Sequence, residues 1–83
     1  MDMPSYLESL AFTCDLLRRH VDGARPIGPS DDIQSDLGLD SLAMMELVSE
    51  VENRFGVFVP ADMVEHVVTV DDVARLVQRL KLG

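Results

Sequence analysis

The sequence has few cysteine and aromatic residues, which stabilise many small proteins through disulfides, metal sites or core packing. Its 83 residues include one cysteine, no tryptophan and one tyrosine. The single Cys14 excludes an intramolecular disulfide and any metal site built from several thiolates. No apolar run approaches the ~20 residues that span a bilayer, and the chain does not begin with a signal-like segment. We therefore expect one domain over residues 1–83, with an aliphatic core, in a reducing cytoplasm.

Basic residues are also scarce, because seven Lys and Arg face fifteen Asp and Glu for a formal net charge of −8. Residues 30–66 contain nine acids and one base, Arg54, so this segment carries the whole net charge. Such a field repels nucleic acid and anionic lipid, and it attracts basic protein surfaces. We therefore predict a protein partner, and neither a nucleic acid nor a membrane. Solubility alone is the simpler explanation of the charge.

Apolar residues at helical spacing predict three main helices and one short helix, packed as an all-α bundle. The helices are expected from about Pro4 to His20, from Ser41 to about Phe55, from about Ala61 to Glu65, and after Thr69. No segment shows the alternation of a strand. The apolar stripe expected on the first helix comprises Leu7, Leu10, Ala11, Cys14 and Leu17. We interpret Cys14 as a small buried hydrophobe.

Residues 21–40 form a long connection, in which Gly23, Pro26, Gly28 and Pro29 prevent a continuous helix through the first half. A connection of this length in a small domain is unusual unless packing against the core holds it in place or it has a function. Three apolar residues of its second half are the expected anchors: Ile33, Leu37 and Leu39.

The end of this connection carries the chemistry, since it places the hydroxyl of Ser41 at a loop-to-helix junction. Asp40 is suited to cap the helix, and its carboxylate could also approach a metal ion that arrives with a nucleotide-like donor. Gly38 gives the backbone freedom to turn into the helix. A helix N-terminus offers unpaired N–H donors and partial positive charge, and both favour a phosphoester there.

The second helix should bury one arc and expose the other. The buried arc is predicted to comprise Met44, Leu47, Val48, Val51 and Phe55. The opposite arc comprises Leu42, Glu46, Ser49 and Asn53, with Glu50 beside them and Met45 close to Ser41. Leu42 is therefore expected to point away from the core.

The hexapeptide Leu37-Gly38-Leu39-Asp40-Ser41-Leu42 resembles the attachment motif of acyl carrier proteins. The similarity continues through Phe55-Gly56-Val57, Val59-Pro60 and Thr69-Val70-Asp71-Asp72-Val73. It implies a carrier-type bundle in which 4′-phosphopantetheine, taken from coenzyme A, is attached to Ser41 by a phosphopantetheinyl transferase with magnesium. The resemblance also implies that the arm's thiol carries an acyl group, and that Asp40 assists the metal during loading.

The resemblance further implies a monomeric carrier with no catalytic residues and no metal site of its own. Its expected partners, besides the transferase, are an acyltransferase, a ketosynthase or an acyl-activating enzyme with a basic docking surface. The residues expected to meet these partners are Leu42, Met45, Glu46, Ser49, Glu50, Glu52 and Glu65.

Three departures from the family's fatty-acid carriers, at Ala43, Ser49 and Asn53, favour a dedicated polyketide or similar specialised pathway. The alternatives are an aminoacyl or D-alanyl carrier and a carrier for fatty-acid synthesis. Outside this class, an acidic helical adaptor without a prosthetic group would use the same charge. Neither a hydrolase elbow nor an EF-hand fits the spacing. His20 and His66 have no metal-pair spacing, and each is expected to be a solvated residue at a helix end.

Overall fold

A computed structural model describes residues 6–21 and 26–82. It contains four helices: α1 (Tyr6–Arg18), α2 (Ser41–Phe55), α3 (Ala61–Glu65) and α4 (Val70–Leu82). The predicted all-α bundle is confirmed, and the bounds of α2 and α3 agree with the sequence patterns. The predicted start of α1 at Pro4 and the glycine at position 23 lie outside the described residues. At its other end α1 stops at Arg18. His20 lies in the turn that follows, and its backbone N–H donates to the Leu17 carbonyl at 2.9 Å.

The core is aliphatic, as expected. Its largest fully buried apolar side chains are Leu17, Ile33, Leu47, Val70 and Val77. Burial of one such side chain contributes about 1.5–3 kcal/mol, so these few residues supply much of the stability of a small domain. At the edge of the core the rings of Phe12 and Phe55 meet edge-to-face, with centroids 5.5 Å apart.

The buried face of α1 differs from the prediction. Leu7 is 73% exposed and Ala11 is exposed, whereas Ser9 and Thr13 are fully buried. The buried residues of α1 are Ser9, Thr13, Leu16 and Leu17. Because successive residues of a helix are rotated by about 100°, this buried face includes Leu17 of the predicted stripe but points away from Leu7. The packing of α1 in the bundle therefore buries two small polar side chains in place of Leu7, and this tertiary preference outweighs the apolar pattern.

Cys14 is half-buried on α1, and its Sγ lies 3.8 Å from the carbonyl oxygen of Ile27. Burial raises the pKa of its thiol, which disfavours the reactive thiolate. This environment agrees with the interpretation of Cys14 as a packing residue.

The connection that precedes α2 is held against the core as predicted, since Ile33, Leu37 and Leu39 are all buried. Backbone hydrogen bonds add to these contacts. The Ile33 N–H donates to the Val68 carbonyl at 2.9 Å, and the Val70 N–H donates to the Asp31 carbonyl at 3.0 Å. The connection is therefore tied to the segment that joins α3 to α4, and this tie sets where α2 begins.

The helix ends carry the capping residues that the sequence indicates. Gly56 follows α2 with φ 63°, a left-handed conformation that favours glycine. At the start of α4, Asp72 Oδ2 accepts from the Thr69 N–H at 3.0 Å, and Thr69 Oγ1 accepts from the Asp72 N–H at 3.2 Å. The backbone N–H groups of Thr69 and Val68 lower the pKa of Asp72. These contacts satisfy N–H groups that the helix itself leaves unpaired.

The buried hydroxyl of Ser9 predicts a stabilising substitution. Its Oγ is inaccessible to solvent and has no hydrogen-bond partner, so Ser9→Ala removes an unsatisfied polar atom and improves helix propensity. We expect the free energy of unfolding to rise by about 1 kcal/mol, which raises Tm by roughly 4–8 °C. Thermal and urea unfolding, followed by far-UV circular dichroism, measure both quantities.

The matched control is Ser49→Ala, at an exposed serine of α2. Ser49→Ala gives the same gain in helix propensity, but the hydroxyl that it removes is exposed and not buried. If the two variants were equally stabilised, the orphaned Ser9 Oγ would not be the cause.

Candidate functional site

Ser41 is the first residue of α2, and it is exposed to solvent. The preceding backbone delivers it there, because Gly38 turns with φ 78° and the Leu39 N–H donates to the Ile33 carbonyl at 3.1 Å. Asp40 is the N-cap, as predicted, and its Oδ1 accepts from the Ala43 N–H at 2.8 Å. The Ser41 hydroxyl is thus held at the positive end of a capped, fifteen-residue helix.

A groove of about 660 Å³ begins at Ser41 and runs between α2, α3 and the loop before α2. Apolar side chains form one part of its lining: Met45, Val48, Val64 and Val68. Polar side chains form the other part: Gln34, Ser35, Ser49 and Glu65. The groove can therefore hold a flexible molecule in which amide or hydroxyl groups alternate with hydrocarbon.

Beneath this groove the core contains a small apolar cavity of only about 20 Å³. Met44, Val48, Val64 and Val67 line both spaces, so they form the partition between the groove and the core. A cavity of this size holds little more than one water molecule. In the conformation described, the core has no room for an acyl chain, whereas the groove does.

Most residues predicted to meet partners lie on the outer surface. Leu42 is 65% exposed and Met45 is 68% exposed, which confirms that Leu42 points away from the core. Glu46, Ser49 and Glu65 are exposed as well. The outer face of α2 therefore combines two large apolar side chains with the outward carboxylate of Glu46.

Glu50 makes internal contacts that the sequence did not indicate. Its Oε1 lies 2.8 Å from His20 Nε2, and its Oε2 accepts from Arg19 Nη1 at 2.9 Å. The hydrogen bond to His20, together with that from Arg19, lowers the pKa of Glu50. Both carboxylate oxygens thus face the end of α1, and Glu50 links that end to the middle of α2.

The same contact corrects the prediction for His20. Its side chain is only 15% exposed, so it is not a solvated residue, because the Glu50 carboxylate lies across from the turn that ends α1. His66 does stay exposed, with Nδ1 lying 2.7 Å from the Asp62 carbonyl oxygen.

Glu52, a further predicted partner contact, is half-buried and also has an internal role. Its Oε2 accepts from the Val59 N–H at 2.8 Å. Through this hydrogen bond, α2 fixes the extended segment that leads to α3, and hence the wall of the groove that α3 forms. No local sequence signal predicts the pairing, since the two residues are seven positions apart and lie in different elements.

The described residues contain no group of three or more His, Cys, Asp or Glu side chains that could hold a metal ion. None of the helices in the described part of the chain is long and apolar enough to cross a membrane.

Comparison with known proteins agrees with this architecture. Residues 11–77 match the family model described as the phosphopantetheine attachment site. An acyl carrier protein of Streptomyces coelicolor is 40% identical over 62 residues, covering 72% of this chain and 67% of the relative. One from Helicobacter pylori strain G27 is 38% identical over 64 residues, covering 77% of this chain and 81% of the relative.

Among solved structures, a proposed acyl carrier protein from Mycobacterium tuberculosis superposes with a TM-score of 0.74 at 25% identity. The match covers 81% of this chain and 90% of that one. The chain therefore belongs to the acyl carrier proteins, the family that carries phosphopantetheine. Its members act as carriers and not as enzymes, so the site is expected to present a group and not to turn over a substrate.

The residues around Ser41 fit such a prosthetic group. The hydroxyl is exposed, the helix end suits a phosphodiester, and the groove starts at the attachment point. Phosphopantetheine contains two amides and a hydroxyl along a hydrocarbon chain, and the groove's mixed lining matches this alternation.

The cap at Asp40 predicts a graded loss of stability. Asp40→Ala removes the oxygen that accepts from the Ala43 N–H, and we expect it to lower the free energy of unfolding by about 1 kcal/mol. Asp40→Asn keeps a side-chain oxygen in the same place and should cost less than half as much. Urea unfolding of both variants makes the comparison, and equal losses would show that the negative charge matters more than the capping hydrogen bond.

Proposed function

We propose that Ser41 is the residue that carries 4′-phosphopantetheine, and that the protein serves a dedicated polyketide or other specialised biosynthetic pathway. The observation that supports the attachment point is the exposed serine at the tip of α2, opening directly onto a groove of about 660 Å³. When attached, the arm supplies a terminal thiol that holds an acyl group as a thioester.

The chain's own residues would support the phosphoester in two ways. The N–H groups of the first turn of α2 and the positive end of its dipole favour the negative charge of a phosphodiester on Ser41. Asp40 is exposed and uses Oδ1 for the cap, so its Oδ2 can face the magnesium ion that accompanies coenzyme A during loading. One carboxylate would then both cap the helix and assist the metal.

The space around Ser41 supports a specialised cargo. A long saturated chain gains most from an enclosed apolar cavity, but the core here offers about 20 Å³. The groove instead places Ser49, Gln34 and Ser35 beside the apolar residues, which suits short or polar acyl groups. A fatty-acid carrier and an aminoacyl carrier are the alternatives within the family.

The partners follow from this proposal. A phosphopantetheinyl transferase loads Ser41, and an acyltransferase, ketosynthase or acyl-activating enzyme then acts on the arm. Exposed Leu42 and Met45 lie close enough to Ser41 to contact whichever enzyme reaches it. We place these reactions in the cytoplasm and expect the carrier to act as a monomer.

Loading of Ser41 can be tested directly. Incubation with coenzyme A, magnesium and a broad-specificity phosphopantetheinyl transferase should add one phosphopantetheinyl mass, read by intact-protein mass spectrometry. Ser41→Ala should abolish the gain, because it removes the hydroxyl that accepts the phosphoryl group. Ser35→Ala, at an exposed serine of the same groove, is the matched control and should load fully.

A wild-type chain that stays unmodified by active transferase would leave the acidic adaptor as the better hypothesis. The pathway needs a second measurement, tandem mass spectrometry of protein purified from its native host. A long saturated acyl group on the arm would contradict the specialised cargo, and an aminoacyl group would identify the other alternative.

Docking on the outer face of α2 predicts a salt-dependent effect. Glu46→Lys should lower kcat/KM for loading by roughly fivefold at low salt, because it reverses an exposed charge that attracts the transferase. The loss should shrink at about 1 M salt, where charges are screened within ~3 Å. The control is Asp15→Lys, the same charge change on the exposed side of α1, and an equal effect of both variants would point to net charge alone.

A further inference from the structure

The groove beside Ser41 is lined by charge of one sign. It contains three carboxylates, each on a different wall: Asp32 in the loop before α2, Glu52 on α2 and Glu65 on α3. The rest of the lining is apolar or uncharged, so the described residues around the groove include no Lys, Arg or His. A molecule that lies in the groove is therefore surrounded by carboxylates and meets no base.

The negative charge of these side chains is not cancelled within the described part of the molecule. None of the three forms an ion pair with a base there. Asp32 Oδ1 accepts from the Gln34 and Ser35 N–H groups at 3.0 Å and 2.8 Å, and Glu52 Oε2 accepts from the Val59 N–H. Backbone N–H donors are neutral, so they hold the carboxylates in place without removing their charge.

The shape of the groove strengthens the effect of this charge. A cleft lined by one sign of charge, with walls of low dielectric, concentrates the field inside it, and like charges repel more strongly there than in bulk water. A phosphodiester on Ser41 would add a further negative charge at one end. An uncharged group of the same size gains instead, because it leaves water and packs against Val48 and Val64.

The length of the groove suits a cargo at the end of the arm. Its lining extends along α2 from Ser41 to Glu52, which is about 16 Å at the rise of an α-helix. This length is comparable with that of an extended phosphopantetheine arm. A group at the end of the arm can therefore lie in the groove or remain in the solvent, and the interactions of that group decide between the two.

We propose that the groove selects the cargo of the arm by charge. It binds uncharged acyl groups and excludes acyl groups that end in a carboxylate, which remain in the solvent. The inference rests on the proposed attachment at Ser41, and it names the class of acyl group that the groove holds. A carboxylated cargo is then accessible to any enzyme that approaches, whereas an uncharged cargo is sheltered.

The test compares two acyl groups of the same size, malonyl and acetoacetyl, in which a carboxylate oxygen replaces a methyl group. A broad-specificity phosphopantetheinyl transferase with magnesium transfers each group, together with the arm, from its coenzyme A thioester to Ser41. Both groups have a methylene beside the thioester carbonyl. With carbon-13 at that position, nuclear Overhauser effects from its protons to the methyl groups of Val48 and Val64 report binding in the groove.

We expect these nuclear Overhauser effects to be roughly fivefold weaker for malonyl than for acetoacetyl at low salt, because like charge excludes the carboxylate. The difference should shrink at about 1 M salt, where charges are screened. Equal effects for the two groups in the wild type would overturn the proposal. Effects too weak to detect for both groups would overturn it as well, since the groove would then hold neither.

Charge reversal in the groove gives the second comparison. Glu65→Lys replaces an exposed carboxylate of the lining with a base, and it should bring the malonyl effect to within about twofold of the acetoacetyl effect. Asp62→Lys is the matched control, because it makes the same charge change on α3 but lies in a separate cleft between α3 and α4. It should leave the malonyl effect as weak as in the wild type.

A malonyl effect that Glu65→Lys does not change would overturn the proposal, because the charge of the lining would not be the cause. Equal gains in both variants would overturn it too, since net charge alone would explain them. An acetoacetyl effect that persists in each variant shows that the groove is intact. Failure of the wild type to accept either arm would instead contradict attachment at Ser41, so the two failures are distinguishable.

Discussion

The hydrogen bond from the Ile33 N–H to the Val68 carbonyl, at 2.9 Å, joins the two loops on which the site depends. One loop ends at Ser41 and the other leads into α4. With Ile33 fully buried beside this bond, the first loop cannot move without breaking the core. The Asp32–Thr69 bridge adds to the same junction. The position of Ser41 is therefore set by contacts between segments about 35 residues apart in the chain, and not by the hexapeptide alone.

The acids of this chain divide into two groups by what their oxygens contact. Asp40, Glu50, Glu52 and Asp72 accept hydrogen bonds from backbone or basic groups within the molecule. Glu46 and Glu65 lie exposed near the site. The first group stabilises helix ends and loops, because a carboxylate satisfies N–H groups that a helix leaves unpaired. The second group is available to other proteins, so the strong net charge overstates how many carboxylates can take part in docking.

The groove and the small core cavity share a partition made of Met44, Val48, Val64 and Val67. Cargo attached through an arm at Ser41 reaches the groove first, and it would enter the core only if these side chains moved apart. Val64 belongs to α3, a helix of only five residues, none of which is buried. Short helices with little buried surface are the elements that open most readily, so access to the core depends on α3 more than on the longer helices.

Local patterns in the sequence determined the helices, their caps and the exposed hydroxyl. Helical periodicity placed α2 and α3, and the residues at Asp40 and Gly56 marked the ends of α2, because capping depends on neighbours within a few positions. The exposure of Leu42 followed from the same periodicity. These features needed no knowledge of distant residues.

Only the tertiary structure decided which face of α1 is buried, and which acids remain available. The packing of α1 in the bundle buries Ser9 and Thr13 and leaves Leu7 in solvent, and an apolar count cannot foresee that geometry. The contact of Glu50 with Arg19 and His20 spans some thirty residues. Such pairs exist because the turn after α1 comes to lie beside the middle of α2, and that position is set by the packing of the whole core.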